Sequence, residues 1–165
     1  ALSGAEGPAL SGVEGLGPHV PASRSPKSIM KTVIFACVHN AGRSQMAAAF
    51  FKALADPAKA RATSAGTEPG ERVHPVVVDA MREVGIDLSD ARPHKLTDEM
   101  AAGGELLITM GCGDRCPHVP GLRRDDWPLA DPADQPIARV REIRDQIRSR
   151  VVRLIEHERW QQTVA

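Results

Sequence analysis

An apolar run, Thr32-Val33-Ile34-Phe35-Ala36, leads without a spacer into eight residues, Cys37-Val38-His39-Asn40-Ala41-Gly42-Arg43-Ser44. These lead in turn into a segment that reads as a helix, Gln45 to Leu54. This order restricts the fold more than any other part of the chain. A loop that leaves a strand and enters a helix turns several backbone N–H groups toward one point, and the helix N-terminus adds partial positive charge there. Such a nest takes a tetrahedral oxyanion, and an arginine clamps it with a planar fork of donors. Cys37 falls at the base of the nest, where the same field favours the thiolate and makes the sulfur a nucleophile.

The remaining composition narrows the partners. Lys+Arg and Asp+Glu both number 21, so the formal charge is zero and nothing favours nucleic acid or an anionic membrane. Tyrosine is absent and aromatics make up 3% of the chain, which leaves few platforms for stacking bases. No apolar run approaches the roughly 20 residues that cross a bilayer. Three cysteines, Cys37, Cys112 and Cys116, are an odd number for a secreted disulfide scaffold. They read better as working thiols in a reducing, cytoplasmic setting.

Residues 1–29 are rich in Gly, Pro, Ser and Ala and contain a near-repeat, Ala1-Leu2-Ser3-Gly4 and then Ala9-Leu10-Ser11-Gly12. They are expected to be a disordered extension, with Met30 a candidate natural start and one domain over 30–160. From Met30 onward strand and helix patterns alternate. Strands are predicted at Thr32–Cys37, Ala60–Ser64 and Leu106–Met110. Helices are predicted over Gln45–Leu54, from Pro75 to about Val84 with Gly85 as the stop, and over Leu96–Ala102. Gly111 to Pro136 is a long Pro/Gly-rich loop with a short strand near Arg124–Trp127. Val140, Ile143, Ile147, Val151 and Leu154 follow helical spacing and mark the last helix. Alternation of this kind predicts an α/β domain: a four-stranded parallel sheet with helices on both faces, and a site beyond the strand C-termini. Both Cys37 and Cys112 fall there.

The loop Cys37–Ser44 with Gln45-Met46-Ala47 resembles that of the low-molecular-weight protein tyrosine phosphatase superfamily. Within it, the chain looks like the thiol-coupled arsenate reductases. Two more segments carry the resemblance: Trp127-Pro128-Leu129-Ala130-Asp131-Pro132-Ala133 is similar to the acid loop, and Thr109 to Pro117 to the redox-cysteine segment. Phosphatases of the superfamily usually carry proline where this chain has Gln45, and often tyrosines after the acid Asp-Pro, where it has Ala133-Asp134.

The resemblance implies a role for each residue. Cys37 attacks arsenate, which a phosphate nest accepts because phosphate or sulfate mimics its shape and charge. His39, Asn40, Ala41, Gly42, Arg43 and Ser44 line the oxyanion site. Asp131 protonates the leaving oxygen. Cys112 attacks the sulfur of Cys37 and releases arsenite. Cys116 then takes over Cys112, and an external dithiol of the thioredoxin type restores the pair. Ser44 is expected to donate a hydrogen bond to the thiolate, Asn40 to brace the loop, Gly42 to supply an unusual backbone angle, and His39 either to add charge or to face solvent. Cofactors are not expected. The resemblance implies no tight potassium site, since Ala48 stands where potassium-binding relatives carry glutamate.

Cys112 and Cys116 come within disulfide reach if the segment coils into one turn, which brings their Cα atoms to about 6 Å. The glycines, Asp114 and Pro117 around them suggest an exposed loop; the weaker readings are inert thiols or a metal site with His118. Mycothiol or glutathione could replace thioredoxin as reductant. The alternatives are a phosphatase that uses Cys37 and Asp131, and a non-catalytic oxyanion or arsenite sensor. Asp98-Glu99 reads as a helix-start charge pair, His74 as a helix cap, His94 as a loop residue, and Met46 and Met81 as core.

Overall fold

The computed structural model describes residues 30–116 and 118–164. The expectation for residues 1–29 lies outside them. Four parallel strands are ordered β2-β1-β3-β4. They are β1 (Lys31–Cys37), β2 (Ala60–Gly66), β3 (Leu106–Thr109) and β4 (Arg123–Asp126). The helices are α1 (Arg43–Leu54), α2 (Pro75–Arg82), α3 (Asp98–Ala102) and α4 (Ile137–Glu158). The expected fold class is the one observed.

β1 lies between β2 and β3 and is apolar on both faces, as a central parallel strand must be. Val33, Phe35 and Cys37 point into the larger core with Met46, Phe50 and Phe51 of α1, Val77 and Met81 of α2, and Val140, Ile143, Ile147 and Val151 of α4. Phe35 is tilted against both Phe51 and Trp127, with ring centroids 6.0 and 5.7 Å apart. Ile34 and Ala36 point the other way. With Leu107, Leu96, Cys112 and Cys116 they form a smaller core, flanked by Met100 of α3 and by Leu122. Edge strand β4 is Arg-Arg-Asp-Asp and exposed throughout, a composition that discourages pairing with another chain.

Several boundaries differ from expectation, each for a local reason. α1 begins at Arg43 rather than Gln45, because Met46 N–H already bonds the Gly42 carbonyl at 3.0 Å. β2 runs on to Gly66, paired with Cys37. α2 ends at Arg82, and the chain turns at Gly85 in the left-handed region (φ 82°). Leu96 and Thr97 lie outside α3: Leu96 N–H bonds the Gly66 carbonyl at 2.8 Å, and the Thr97 hydroxyl caps the helix by accepting from Met100 N–H at 3.2 Å. Met110 is fully buried but follows β3, and Trp127 follows β4. α4 extends to Glu158, and the residue after it, Arg159, is left-handed (φ 61°). No helix among the described residues is long and apolar enough to cross a membrane.

Candidate active site

The parallel register sets Cys37 opposite Gly66, at the C-terminal end of the sheet. The loop after Cys37 is shaped by the segment that follows β2. The carbonyls of Cys37, Val38, His39 and Ala41 accept from the N–H groups of Thr67, Glu68, Gly70 and His74 at 3.2, 2.8, 2.9 and 2.9 Å. Turning these carbonyls outward turns the opposite ends of their peptide units inward, which builds the anion nest. Asn40 takes the left-handed conformation that such a turn requires (φ 50°).

Two glycines owe their identity to close approach. A Cβ on Gly66 would stand 2.6 Å from the Val38 carbonyl oxygen. A Cβ on Gly42 would stand 2.6 Å from Cγ of Pro132. The unusual backbone angle expected of Gly42 is present (φ −148°, ψ −89°, neither helical nor extended), and proximity to the acid loop adds a second reason for the missing side chain.

Cys37 is 3% exposed. Its Sγ receives the Asn40 N–H at 3.2 Å and lies 2.9 Å from Ser44 Oγ. Asn40 Nδ2 donates to the same Ser44 oxygen at 2.7 Å, and the Ser44 hydroxyl, with one hydrogen and a second lone pair, can give to or take from the sulfur. Asn40 therefore braces the loop through Ser44 and through the backbone N–H of His94, which donates to Asn40 Oδ1 at 2.9 Å. His39 is exposed, and its Nδ1 donates to the Glu68 carbonyl at 3.0 Å. The ring ties two loops together. His74 precedes α2, yet its side chain makes no capping bond.

Arg43 is 9% exposed and bridges three segments. Nη1 donates to the Leu129 carbonyl at 3.0 Å, and Nη2 lies 3.7 Å from Asp131 Oδ2. Gly111, at φ 87°, packs so closely on the guanidinium that no Cβ would fit. Asp131 is half exposed, and its Oδ1 accepts the Ala133 N–H at 2.9 Å, an Asx turn that aims the acid loop.

Cys112 and Cys116 are joined as a disulfide across one 3-10 turn, Gly113–Arg115, with Cα atoms 5.6 Å apart. The coiling expected from their spacing is present, but the exposed loop is not. Both are 4% exposed, because their sulfurs fill the smaller core beside Ala36 and Leu107. Bonded to each other, they offer no pair of thiolates to a metal with His118. The outer side of the segment is polar: Arg124 Nη2 donates to the Gly113 carbonyl at 3.1 Å, and Arg115 Nη1 lies 3.6 Å from Glu68. Cys37 packs in the other core, across the sheet.

The structure brings Cys37, Asn40, Arg43, Ser44 and Asp131 together, and places the disulfide one residue beyond Gly111. Sequence reading missed Gly66, Gly111, Pro132, the Leu129 carbonyl and the His94 N–H. Gly111 carried a signal: it directly follows the strand pattern Leu106–Met110, where a glycine often marks close backbone approach.

A parallel α/β sheet with a cysteine, an arginine and an inward-turned N–H loop at its C-terminal edge defines a class of α/β proteins with a cysteine at the base of an anion nest. The chain belongs to the low molecular weight phosphotyrosine protein phosphatase family, whose sequence model matches residues 32–164. A putative arsenate reductase of Halobacterium salinarum is 38% identical over 128 residues, 74% of this chain and 89% of the relative. A glutaredoxin arsenate reductase of Synechocystis is 39% identical over 129 residues, covering 76% and 97%. The solved thioredoxin-dependent arsenate reductase of Corynebacterium glutamicum superposes with a TM-score of 0.68 at 39% identity. That match takes in 78% of this chain and spans 61% of the solved one.

Proposed function

We propose that the chain reduces arsenate to arsenite through a relay of its three cysteines. The observation that carries this reading is the Cys112–Cys116 disulfide in a segment whose first residue, Gly111, lies against the oxyanion arginine. A phosphatase needs only Cys37, Arg43 and an acid. A dithiol beside them serves electron transfer.

Arsenate binds in the nest against Arg43. The Cys37 thiolate forms a bond to As(V), and one arsenic oxygen, protonated by Asp131, leaves as water. The Cys112 thiolate attacks Sγ of Cys37. The S–As bonding pair stays with arsenic, which leaves as As(III), and a Cys37–Cys112 disulfide remains. Cys116 then attacks Cys112, freeing Cys37 as thiolate and leaving the Cys112–Cys116 bond. The structure corresponds to this last state, with Cys37 reduced and the disulfide parked in the smaller core. An external dithiol completes the cycle by exchange.

Thioredoxin is the reductant this reading favours, since a protein dithiol exchanges directly with a disulfide. Mycothiol, glutathione or glutaredoxin is the alternative. No bound cofactor or tight potassium ion takes part, and thiols that must return to the reduced state suit the cytoplasm. Residues 1–29 stand outside the catalytic domain.

The test is arsenate-dependent NADPH oxidation coupled through thioredoxin and its reductase, for wild type, Cys37→Ser, Cys112→Ser and Cys116→Ser. Loss of turnover at all three supports the relay. Activity of Cys116→Ser with a small thiol alone would replace thioredoxin. Aryl-phosphate hydrolysis that survives Cys112→Ser, without arsenate turnover, would make the chain a phosphatase. Oxyanion binding without either turnover would make it a sensor.

A further inference from the structure

Gln45 sits in the first turn of α1, and the relay assigns it nothing. It is 7% exposed, and its side-chain nitrogen is fully committed. Nε2 lies 3.1 Å from the Arg92 carbonyl oxygen and 3.1 Å from Asn40 Oδ1. A carbonyl only accepts, so Arg92 fixes which end of the Gln45 amide faces inward. Asn40 is oriented in the same way. The His94 N–H only donates, so the atom it meets at 2.9 Å is the amide oxygen, and Nδ2 must face Ser44 at 2.7 Å. Ser44 then has one hydrogen left, and Sγ of Cys37 lies 2.9 Å from its oxygen. Every direction from Gln45 and His94 through Asn40 to Ser44 is forced by a backbone group, and once Cys37 is a thiolate, which only accepts, the last bond runs from the Ser44 hydroxyl to sulfur.

We propose that Gln45 is a positioning residue for the nucleophile. It holds the Asn40 amide so that the Ser44 hydroxyl hydrogen stays on the Cys37 sulfur, and it ties that series to the chain at Arg92–His94. Without its donors, Asn40 Oδ1 keeps one partner of two and the Arg92 carbonyl is left unpaired. Asn40 is then free to turn, Ser44 loses its fixed direction, and the sulfur loses a donor that favours its anion. The inference rests on Cys37 being the nucleophile, not on arsenate being the substrate.

The test is the pH–rate profile of iodoacetamide alkylation in a Cys112→Ser/Cys116→Ser background, where Cys37 is the sole thiol. Gln45→Met should move the profile to higher pH and slow alkylation at neutral pH by about fivefold, the worth of one ordinary hydrogen bond. Ser44→Ala should do the same, and adding Gln45→Met to it should change nothing more. Gln45→Asn, one methylene too short to reach, carries the same expectation if the methionine variant does not fold. A profile that coincides with the parent's, even with a lowered melting temperature, overturns the proposal. So do effects of the two substitutions that simply add. Alkylation needs no oxyanion, so a chain that reduces no arsenate still reports on Gln45.

Discussion

Pro132 approaches Gly42 so closely that a Cβ on residue 42 would stand 2.6 Å from Pro132 Cγ. The oxyanion loop and the acid loop are thus fitted to each other directly beside Asp131, the proposed proton donor.

Gly42→Ala should therefore act on catalysis more than on folding. The new methyl meets Pro132 at 2.6 Å, so it must displace Pro132 and carry Asp131 with it. A shift of this kind costs on the order of tenfold or more in rate. The expected result is a fall in kcat for arsenate of about that size, with a melting temperature near that of wild type. A large loss of stability with unchanged kcat would contradict it.

Cys116→Ser should stop the relay after its first exchange. With no thiol to relieve Cys112, the chain treated with arsenate should accumulate a Cys37–Cys112 cross-link. Peptide mapping under non-reducing conditions reads this directly. The two sulfurs pack in different cores, so the cross-link also requires the segment after β3 to leave its observed place.

Leu122→Ala tests how the disulfide is guarded. Cys112 and Cys116 are each 4% exposed, and Leu122 packs over their core. A reductant meets the bond only when this cover opens, and a smaller side chain lowers the cost of opening. Reduction by dithiothreitol should speed up several-fold, while the global melting temperature falls only slightly. An unchanged rate would mean that the bond is reached without opening.

A separate prediction concerns the clamp between α2 and α4. Glu83 accepts from Arg141 at 2.7, 2.9 and 3.1 Å and from Arg144 Nη1 at 3.0 Å. Hydrogen bonds from Arg141, with those of Arg144, hold its carboxyl down at about 2, from an ordinary 4.5. A depressed acid contributes stability that is fully present above its unfolded value and is lost as pH falls through its folded one. Glu83→Gln should lower the melting temperature at pH 7 by a small amount, since the pair is partly solvated. The gap to wild type should narrow between about pH 4.5 and 2. A gap independent of pH would show that the clamp acts by packing alone.

Much of this protein was determined locally. The run Thr32–Ala36 read as a strand, and the apolar stretch Val33–Ala36 within it is buried on both faces. The loop Cys37–Ser44 between that strand and a helix implied an oxyanion nest with a thiolate at its base, since helix geometry and peptide dipoles act within a few residues. The spacing of Cys112 and Cys116 allowed a bond across one turn. The tertiary structure alone decided what these pieces do to each other. It put the Cys112–Cys116 bond inside a core that its glycine-rich surroundings did not suggest, because Ala36 and Leu107 leave room there. It added to the backbone angle of Gly42 a contact with Pro132, ninety residues away. It also turned Gln45, legible in sequence only as the absence of a proline, into the outer end of a hydrogen-bond series reaching Cys37. Propensity and periodicity act between neighbours in the chain; such contacts depend on how the sheet brings distant loops to one edge.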